Sequence, residues 1–139
     1  MKYLLDTCVI SELSKKRPHP AALRWLQERD DLELYVSSVT VGELRKGIER
    51  LPDEDARRQK LEAWFDGFLE GFDGRVVPFD QGAAVAWGRI VGCSMRLGRV
   101  RSLIDMQIAA TAFQAGMTLV TRNVKDMEGA GVRLLNPFD

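Results

Sequence analysis

The sequence predicts an α/β fold, a single domain over residues 1–139 with a central, mostly parallel sheet flanked by helices. Short apolar runs alternate with stretches whose apolar residues recur at helical spacing, and this alternation is typical of parallel strands joined by helices. A chain of 139 residues has the size of one common domain and can bury a core without metal or disulfide staples. No repeat, low-complexity tract or linker divides it.

Five short apolar runs are predicted to be strands, since each is bounded by residues that start helices or turns. In chain order they are residues 3–6, 34–37, 76–79, 118–121 and 133–135. We expect the last of them to be a short strand at an edge of the sheet.

The stretches between these runs are predicted to be helices, at residues 9–14, 20–29, 41–50, 54–71, 81–97 and 102–115. Pro20 suits the first turn of its helix, and Gly116 suits a left-handed C-terminal cap. In residues 54–71 the large apolar side chains recur at helical spacing, as Leu61, Trp64, Phe65, Phe68 and Leu69. This aromatic-rich helix is predicted to contribute mainly to the core, although exposed aromatics would mark an interface.

Four acidic residues follow the predicted strands or open a predicted helix. Asp6 ends the first strand, Glu43 follows the second, Asp105 enters the last long helix and Asp126 follows the fourth strand. Because the carboxyl ends of parallel strands face one crevice, these side chains are expected to converge. Clustered carboxylates resist joint ionisation unless a cation neutralises them, and Mg²⁺ or Mn²⁺ takes such ligands together with water. The pattern therefore predicts a hard-metal site.

Each acid taken singly has an ordinary structural interpretation. Asp6 can cap the helix that follows it. Residues 40–43 and 102–105 both fit a capping box, in which the carboxylate bonds back to the start of the helix. Asn123 and Asp126 suit an ordinary turn. The two roles are compatible, because a first-turn carboxylate lies at a helix N-terminus that faces the crevice, so the metal prediction depends on the joint pattern.

The composition excludes several other chemistries. His19 is the only histidine, which excludes paired-histidine ribonuclease chemistry and disfavours a Ser-His-Asp triad. Cys8 and Cys93 are expected to be reduced core residues of a cytoplasmic protein, and they are too few for structural zinc. No glycine motif for phosphate or dinucleotide binding occurs. Basic and acidic residues number 20 each, so net charge gives no nucleic-acid signal. No apolar run suits a membrane span or a signal peptide.

Basic residues accompany the acids along the chain. They are Arg45 and Lys46 after Glu43, Arg99 and Arg101 before Asp105, and Arg122 and Lys125 on either side of Asn123. Most are expected on a solvated face. One or two of them near the crevice could contact a nucleic-acid backbone.

Four segments together carry a resemblance to a known family. They are LDTCVISEL at residues 5–13, SVTVGELRKGI at 38–48, IDMQIAATA at 104–112 and LVTRNVKD at 119–126. In this order and spacing they resemble the PIN domain, and most closely the VapC/FitB-type toxins of bacterial toxin–antitoxin pairs. The resemblance covers essentially the whole chain. It implies a PIN-like α/β domain that cleaves single-stranded RNA with Mg²⁺ or Mn²⁺.

The resemblance also implies roles, position by position. Asp6, Glu43 and Asp105 match the three main acids of the family, with Asp6 and Asp105 as direct metal ligands. Glu43 would hold or activate water, or complete the metal shell. Asn123 stands where many PIN domains have a fourth acid, and Asp126 is expected to compensate for it. Whether a second metal position is occupied stays open.

Supporting residues and partners follow from the same resemblance. Thr7 and Thr121 are expected to hydrogen-bond the acidic side chains. The implied partners are an RNA substrate, a second copy of the chain in a two-fold homodimer, and a cognate antitoxin that lies over the active site. Operator DNA would be contacted only through that antitoxin. Residues 61–69 are the candidate groove for the antitoxin or for the dimer, with a core role as the competing interpretation.

We therefore expect a toxin that acts as a metal-dependent endoribonuclease, with Asp6, Glu43, Asp105 and Asp126 serving hydrolysis by metal-activated water. One alternative is a PIN-like module that binds antitoxin and operator with weak or no nuclease activity, which Asn123 in the fourth position motivates. Another is a metal-dependent DNase or phosphatase that uses the same site. The sequence does not specify the RNA target.

Overall fold

A five-stranded parallel sheet forms the centre of the protein in a computed structural model that describes residues 1–139. The strands are β1 (Tyr3–Leu5), β2 (Leu34–Ser37), β3 (Val76–Val77), β4 (Thr118–Val120) and β5 (Leu134–Leu135). Their order across the sheet is β3-β2-β1-β4-β5, and every neighbouring pair is parallel. The predicted α/β class and the edge position of the last strand are confirmed.

Seven α-helices connect these strands. They are α1 (Thr7–Leu13), α2 (Pro20–Gln27), α3 (Ser38–Glu49), α4 (Ala56–Gly71), α5 (Gln81–Arg96), α6 (Leu103–Ala115) and α7 (Val124–Met127). A short 3₁₀ turn at Asp31–Glu33 precedes β2. None of the helices combines the length and the apolar character needed to cross a bilayer.

Short polar side chains fix where most helices begin. Five helices, α1, α3, α4, α5 and α6, follow a residue whose side-chain oxygen accepts a backbone N–H of the first turn, namely Asp6, Ser37, Asp55, Asp80 and Ser102. Each such cap contributes about 1 kcal/mol to its helix. Gly116 ends α6 in the left-handed conformation at φ 69°, as predicted.

The start of α3 differs from the prediction and changes the interpretation of Glu43. The hydroxyl of Ser37 accepts a hydrogen bond from the Val39 backbone N–H at 3.0 Å, so the helix begins at Ser38 rather than at Val41. The predicted capping box over residues 40–43 is therefore wrong. Glu43 lies in the second turn, where no unpaired N–H of the helix start is within reach of its carboxylate.

Residues 121–126, predicted to form a loop, include most of the single-turn helix α7. Its N-cap Asn123 makes no side-chain capping bond. The sequence gives little sign of this helix because four residues are too short for a helical period to be visible. Asp126 consequently lies inside a helix rather than in a turn.

The sheet is buried on both faces, which is typical of parallel sheets. Successive residues of a strand point to opposite sides. Leu5 and Val120 accordingly pack with side chains that include Val9 and Phe65, whereas Leu4 and Leu119 pack into a second core on the other face. That second core also contains Met106, Ile108, Ala109, Ala112, Met117, Met127 and Ala130.

The strand order creates one crevice at the carboxyl edge of the sheet. From β1 the chain crosses to β2 on one side, and β4 joins β1 on the other side. In parallel sheets ligands bind where the connections diverge in this way. Asp6 directly follows β1, and its backbone N–H donates to the Val120 carbonyl at 2.9 Å, which anchors it beside the end of β4.

The two cysteines are free thiols, but they are not both core residues. Cys8 is half-buried beside Asp6, whereas Cys93 is exposed. The core prediction for Cys93 is wrong because this position lies on the outer side of α5, although its neighbours in sequence are apolar.

We predict that Leu119→Ala lowers the free energy of unfolding by about 2–5 kcal/mol, because it leaves a cavity in the centre of the sheet. Leu119 is 0% exposed, whereas Leu32, the matched control, is 73% exposed. Leu32→Ala is expected to change stability by less than about 0.5 kcal/mol. Urea denaturation measures both. Equal losses in the two variants would contradict the described core.

Candidate functional site

Asp6 is the most buried of the four predicted acids, and donors hold both of its oxygens. Oδ1 accepts from the Thr7 backbone N–H at 2.8 Å. Oδ2 accepts from the Thr121 hydroxyl at 2.7 Å, and the Cys8 thiol lies 3.6 Å from the same oxygen. The cap of α1 and a site role therefore coexist in one side chain. Its position is set by the end of β1, and its orientation is fixed by donors at the start of α1 and at Thr121, which follows β4.

Glu43 is joined to the start of α1 by hydroxyl groups. The Thr7 hydroxyl donates to Glu43 Oε1 at 2.8 Å and lies 3.0 Å from the hydroxyl of the buried Thr40. Thr40 was missed as a site residue because the sequence placed it at a helix start. A hydroxyl residue one turn before the acid is the signal that could have found it.

Asp105 and Asp126 line the same small polar cavity. It has a volume of about 300 Å³ and is lined by Arg99, Val100, Arg101, Ser102, Asp105 and Asp126. The Ser102 hydroxyl accepts from the Asp105 backbone N–H at 3.3 Å. Asp105 is half-buried and Asp126 is exposed. The structure thus places Asp126 beside a predicted metal ligand.

Asn123 lies at the entrance to α7 with an exposed side chain. Its backbone N–H donates to the Thr121 hydroxyl at 3.0 Å, and that hydroxyl in turn donates to Asp6. The structure gives the Asn123 amide no contact with any of the acids. Its prediction as a metal ligand stays a prediction. The expected hydrogen bonds from Thr7 and Thr121 to acidic side chains are present.

The electrostatics of the crevice couple the four acids. Burial raises the pKa of the Asp6 carboxyl, the hydrogen bonds from Thr121 and Thr7 oppose this rise, and the charge of Glu43 adds to it. Burial also raises the pKa of Asp105, and the charges of Asp6, Glu43 and Asp126 raise it further. Asp105 is therefore close enough to be repelled by the other three carboxylates, and Asp6 by Glu43, a repulsion that a bound cation would relieve.

The donor set fits a hard divalent cation that keeps several waters. No group of three His, Cys, Asp or Glu side chains lies close enough together to hold a metal ion, so the crevice forms no closed cage of protein ligands. Mg²⁺ usually binds through one or two carboxylates with water and substrate oxygens, so a closed cage is not required. The crevice supplies carboxylate oxygens and no imidazole. The only thiol beside it, Cys8, has a pKa raised chiefly by burial. This composition disfavours a structural zinc site.

The basic residues near the acids fall into two groups. Arg45 pairs with Glu49 and Glu62 and lies 5.7 Å above the ring of Phe65, so it is directed away from the site. The other five, Lys46, Arg99, Arg101, Arg122 and Lys125, form no ion pair. Arg99 and Arg101 donate to backbone carbonyls of the protein, so only Lys46, Arg122 and Lys125 remain available to a phosphate backbone.

The aromatic stretch at residues 61–69 is partly buried in the core and partly lines an open groove, and its role as an interface stays a prediction. Phe65 and Phe68 are buried in the core. Trp64 stacks on Phe68 with ring centroids 5.6 Å apart and lines an open groove between α2 and α4. The groove has a volume of about 580 Å³, and its other apolar walls include Leu23, Leu26, Ala63 and Phe72.

We predict that Asp105→Asn raises the Tm of the metal-free protein at pH 7 by about 3 °C. The folded-state pKa of Asp105 lies above its ordinary value. Its ionisation therefore destabilises the fold as pH rises through that raised pKa, and the penalty disappears as pH falls to the ordinary value. The difference in Tm between Asp105→Asn and the parent should vanish once the pH falls below the ordinary pKa of aspartate. Asp73→Asn, at an exposed site, is the control. A lower Tm for Asp105→Asn at pH 7 would contradict the repulsion.

Known proteins resemble this chain over nearly its whole length. The family model described as PIN domain matches residues 3–128. The VapC ribonuclease Y4jK of Sinorhizobium fredii is 36% identical over 137 residues, covering 98% of this chain and 97% of the relative. Toxin FitB of Neisseria gonorrhoeae is 33% identical over 135 residues, covering 97% of each. The tRNA(fMet)-specific endonuclease VapC of Shigella flexneri is 30% identical and covers 94% of this chain and 93% of the relative.

Solved structures agree with these relatives. The structure of FitAB bound to an IR36 DNA fragment contains a chain that superposes with a TM-score of 0.90 at 33% identity, covering 99% of this chain and 96% of that one. DNA-bound VapBC from Salmonella typhimurium gives a TM-score of 0.80 at 26% identity, with coverage of 99% and 98%. Together with the acidic crevice at the carboxyl edge of the sheet, these likenesses show that the chain belongs to the PIN domain family.

Proposed function

We propose that this chain, acting as one domain over residues 1–139, is the toxin of a toxin–antitoxin pair and a divalent-metal-dependent endoribonuclease of single-stranded RNA. The observation that carries the proposal is the acidic crevice, where Thr7 binds both Asp6 and Glu43 and where Asp105 and Asp126 line one cavity. Relatives of nearly equal length are named as ribonucleases. Mg²⁺ or Mn²⁺ is the metal that suits an all-oxygen donor set.

Each acid has a distinct task in this proposal. Asp6 and Asp105 hold the metal, because the first is fixed by two donors and the second is half-buried beside it. Glu43, oriented by Thr7, accepts a proton from the attacking water. Asp126 adds negative charge on the far side of Asp105 in place of an acid at Asn123. When bound, the metal lowers the pKa of water and neutralises charge on the phosphate.

The absence of a usable histidine supports hydrolysis by water. His19 stacks edge-on against Phe138 at 5.3 Å, and its backbone N–H donates to Glu12, so it belongs to a packed corner rather than to the crevice. RNA cleavage through its own 2′-hydroxyl normally requires a general acid and base pair, which no histidine here supplies. The single-stranded substrate would contact the unpaired cations Lys46, Arg122 and Lys125 through its backbone.

The groove between α2 and α4 is the proposed site for the antitoxin. Chains in the FitAB and VapBC complexes share this fold. The groove offers Trp64 and Phe72 to an apolar partner segment, with Asp31 and Arg75 available for polar contacts. Aromatic pockets of this kind supply most of the binding energy at interfaces. Leu5 forms part of the buried floor of the groove. Operator DNA would be reached only through the antitoxin.

We predict that the purified chain cleaves single-stranded RNA when Mg²⁺ or Mn²⁺ is present and that Asp6→Asn or Asp105→Asn lowers kcat at least about 100-fold, because each removes a metal-holding charge. Asp73→Asn, on the exposed turn after α4, should cleave normally. Gel assays with RNA, DNA and a phosphate ester identify the substrate. Normal cleavage by both site variants would contradict the mechanism. Antitoxin binding without cleavage would instead favour the PIN-like binding module.

We predict that Ala63→Glu weakens binding of the cognate antitoxin by at least about tenfold, because it places an unpaired charge inside an apolar groove. Its RNA cleavage should be unchanged. Ala84→Glu makes the same change on the exposed side of α5, outside the groove, and should bind normally. Calorimetry with the antitoxin encoded beside this chain measures the affinities. Equal binding by the two variants would exclude this groove.

A further inference from the structure

Two arginines from the connection between α5 and α6 hold the C-terminal end of α7. Arg99 donates from Nη1 to the Glu128 carbonyl at 2.8 Å and from Nη2 to the Lys125 carbonyl at 3.1 Å. Arg101 donates from Nη1 to the Asp126 carbonyl at 3.1 Å and from Nη2 to the Glu128 carbonyl. The carbonyls at the end of a helix have no partners within it, and here two guanidinium groups satisfy them.

Arg101 also ties α7 to the long helices. Its Nε donates to the Ser94 hydroxyl of α5 at 2.8 Å, and its Nη1 lies 3.4 Å from Met106 Sδ of α6. Ser94 is buried and is itself fixed to the Ile90 carbonyl at 2.8 Å. Most N–H groups of Arg101 are thus committed to the protein. This makes it a structural anchor rather than a binder of substrate phosphate.

The helix that these contacts hold carries Asp126. A single turn of helix is not stable by itself, because the entropy of fixing its residues exceeds the gain from so few hydrogen bonds. The backbone carbonyl of Asp126 is bound by Arg101, while its carboxylate lines the same cavity as Asp105. The position of that carboxylate therefore depends on contacts made outside α7.

We propose that Arg101, supported by Arg99, is a positioning residue that fixes α7 so that the carboxylate of Asp126 faces Asp105 and contributes to metal binding. This inference rests on the proposed function, because it assigns Asp126 to the same metal site. Burial and the neighbouring charge of Arg99 lower the pKa of Arg101, so the anchor is retained at an energetic cost. Arg101 lines the cavity that contains Asp105 and Asp126, yet it forms no ion pair. Its N–H groups bind backbone and side-chain atoms instead, as a positioning role requires.

Gly129 provides a second way to test the contacts made by Arg101 and Arg99. It has a φ of +83°, and a Cβ built on it would lie 2.9 Å from Arg101 Nη2 and 3.4 Å from Arg99 Nη1. Gly131 has nearly the same φ, +80°, but a Cβ there would meet only the Phe113 ring at 3.7 Å, an ordinary contact. The two glycines thus share the same backbone strain on substitution. Only a side chain at position 129 would displace the two arginine side chains.

The test compares Mn²⁺ affinity in Gly129→Ala and Gly131→Ala, measured from the electron paramagnetic resonance signal of free Mn²⁺. Neither change alters charge. We expect the affinity to fall about tenfold in Gly129→Ala and to stay at the parent value in Gly131→Ala. Equal losses in both variants, or no loss in either, would overturn the inference.

A double-mutant cycle keeps the test decisive if Gly129→Ala does not fold. Arg101→Met removes a positive charge, which by itself would strengthen Mn²⁺ binding. We expect it instead to weaken binding about tenfold in the parent but not to weaken it in the Asp126→Asn background, where only the charge effect remains. Tighter binding in Arg101→Met, or the same loss in both backgrounds, would overturn the positioning role.

The outcomes separate this inference from the proposed function. If the parent chain binds Mn²⁺ and cleaves RNA but the cycle is additive, only the positioning role fails. If the parent binds Mn²⁺ without cleaving RNA and the cycle is non-additive, the inference holds and the nuclease proposal fails. If the parent binds no Mn²⁺, both fail together.

Discussion

Repulsion among carboxylates at the carboxyl edge of the sheet is the constraint on which the rest of the site depends. Burial makes each charge more costly, and each of the two aspartates with a raised pKa is affected by other acids of the crevice. Two of the acids cannot relieve this repulsion by rotating away, because Asp6 is held at both oxygens and Glu43 is held by Thr7. Fixed carboxylates that repel one another destabilise the metal-free fold, and a bound cation would remove this cost. We propose that metal binding therefore links stability and function in this protein.

The fold supplies the rigidity that this arrangement requires. β1 lies between two parallel neighbours, and its side chains alternate between the two buried cores, so Asp6 starts from an immobile strand end. The proposed antitoxin groove shares Leu5 and Phe68 with one core, which places partner binding and the acidic site on a continuous packed structure. By contrast, α7 is short and is held by Arg99 and Arg101 from the connection between α5 and α6. The site therefore combines acids on rigid elements with one acid on an element that must be held.

Local patterns in the sequence predicted the strands, the long helices and the common edge at which the acids lie. The errors occurred where two local signals were equivalent or where a contact with a distant segment decides the outcome. The start of α3 depends on the Ser37 cap, and two possible caps three residues apart are equivalent in sequence. The exposed position of Cys93 and the pairing of Arg45 with Glu62 depend on how helices pack. The anchoring of α7 by Arg101 joins residues far apart in sequence, so no local pattern indicates it.

The most direct measurement is anomalous diffraction from crystals of the protein grown with Mn²⁺, recorded for the parent chain and for Asp105→Asn. The proposed site predicts a strong manganese peak within coordination distance of Asp6 and Asp105, about 2.0–2.2 Å from a carboxylate oxygen. The peak should be lost or much weaker in the variant. A parent structure with no peak in the crevice, or with its only peak elsewhere on the surface, would contradict the claim that the acids gather there to hold a metal.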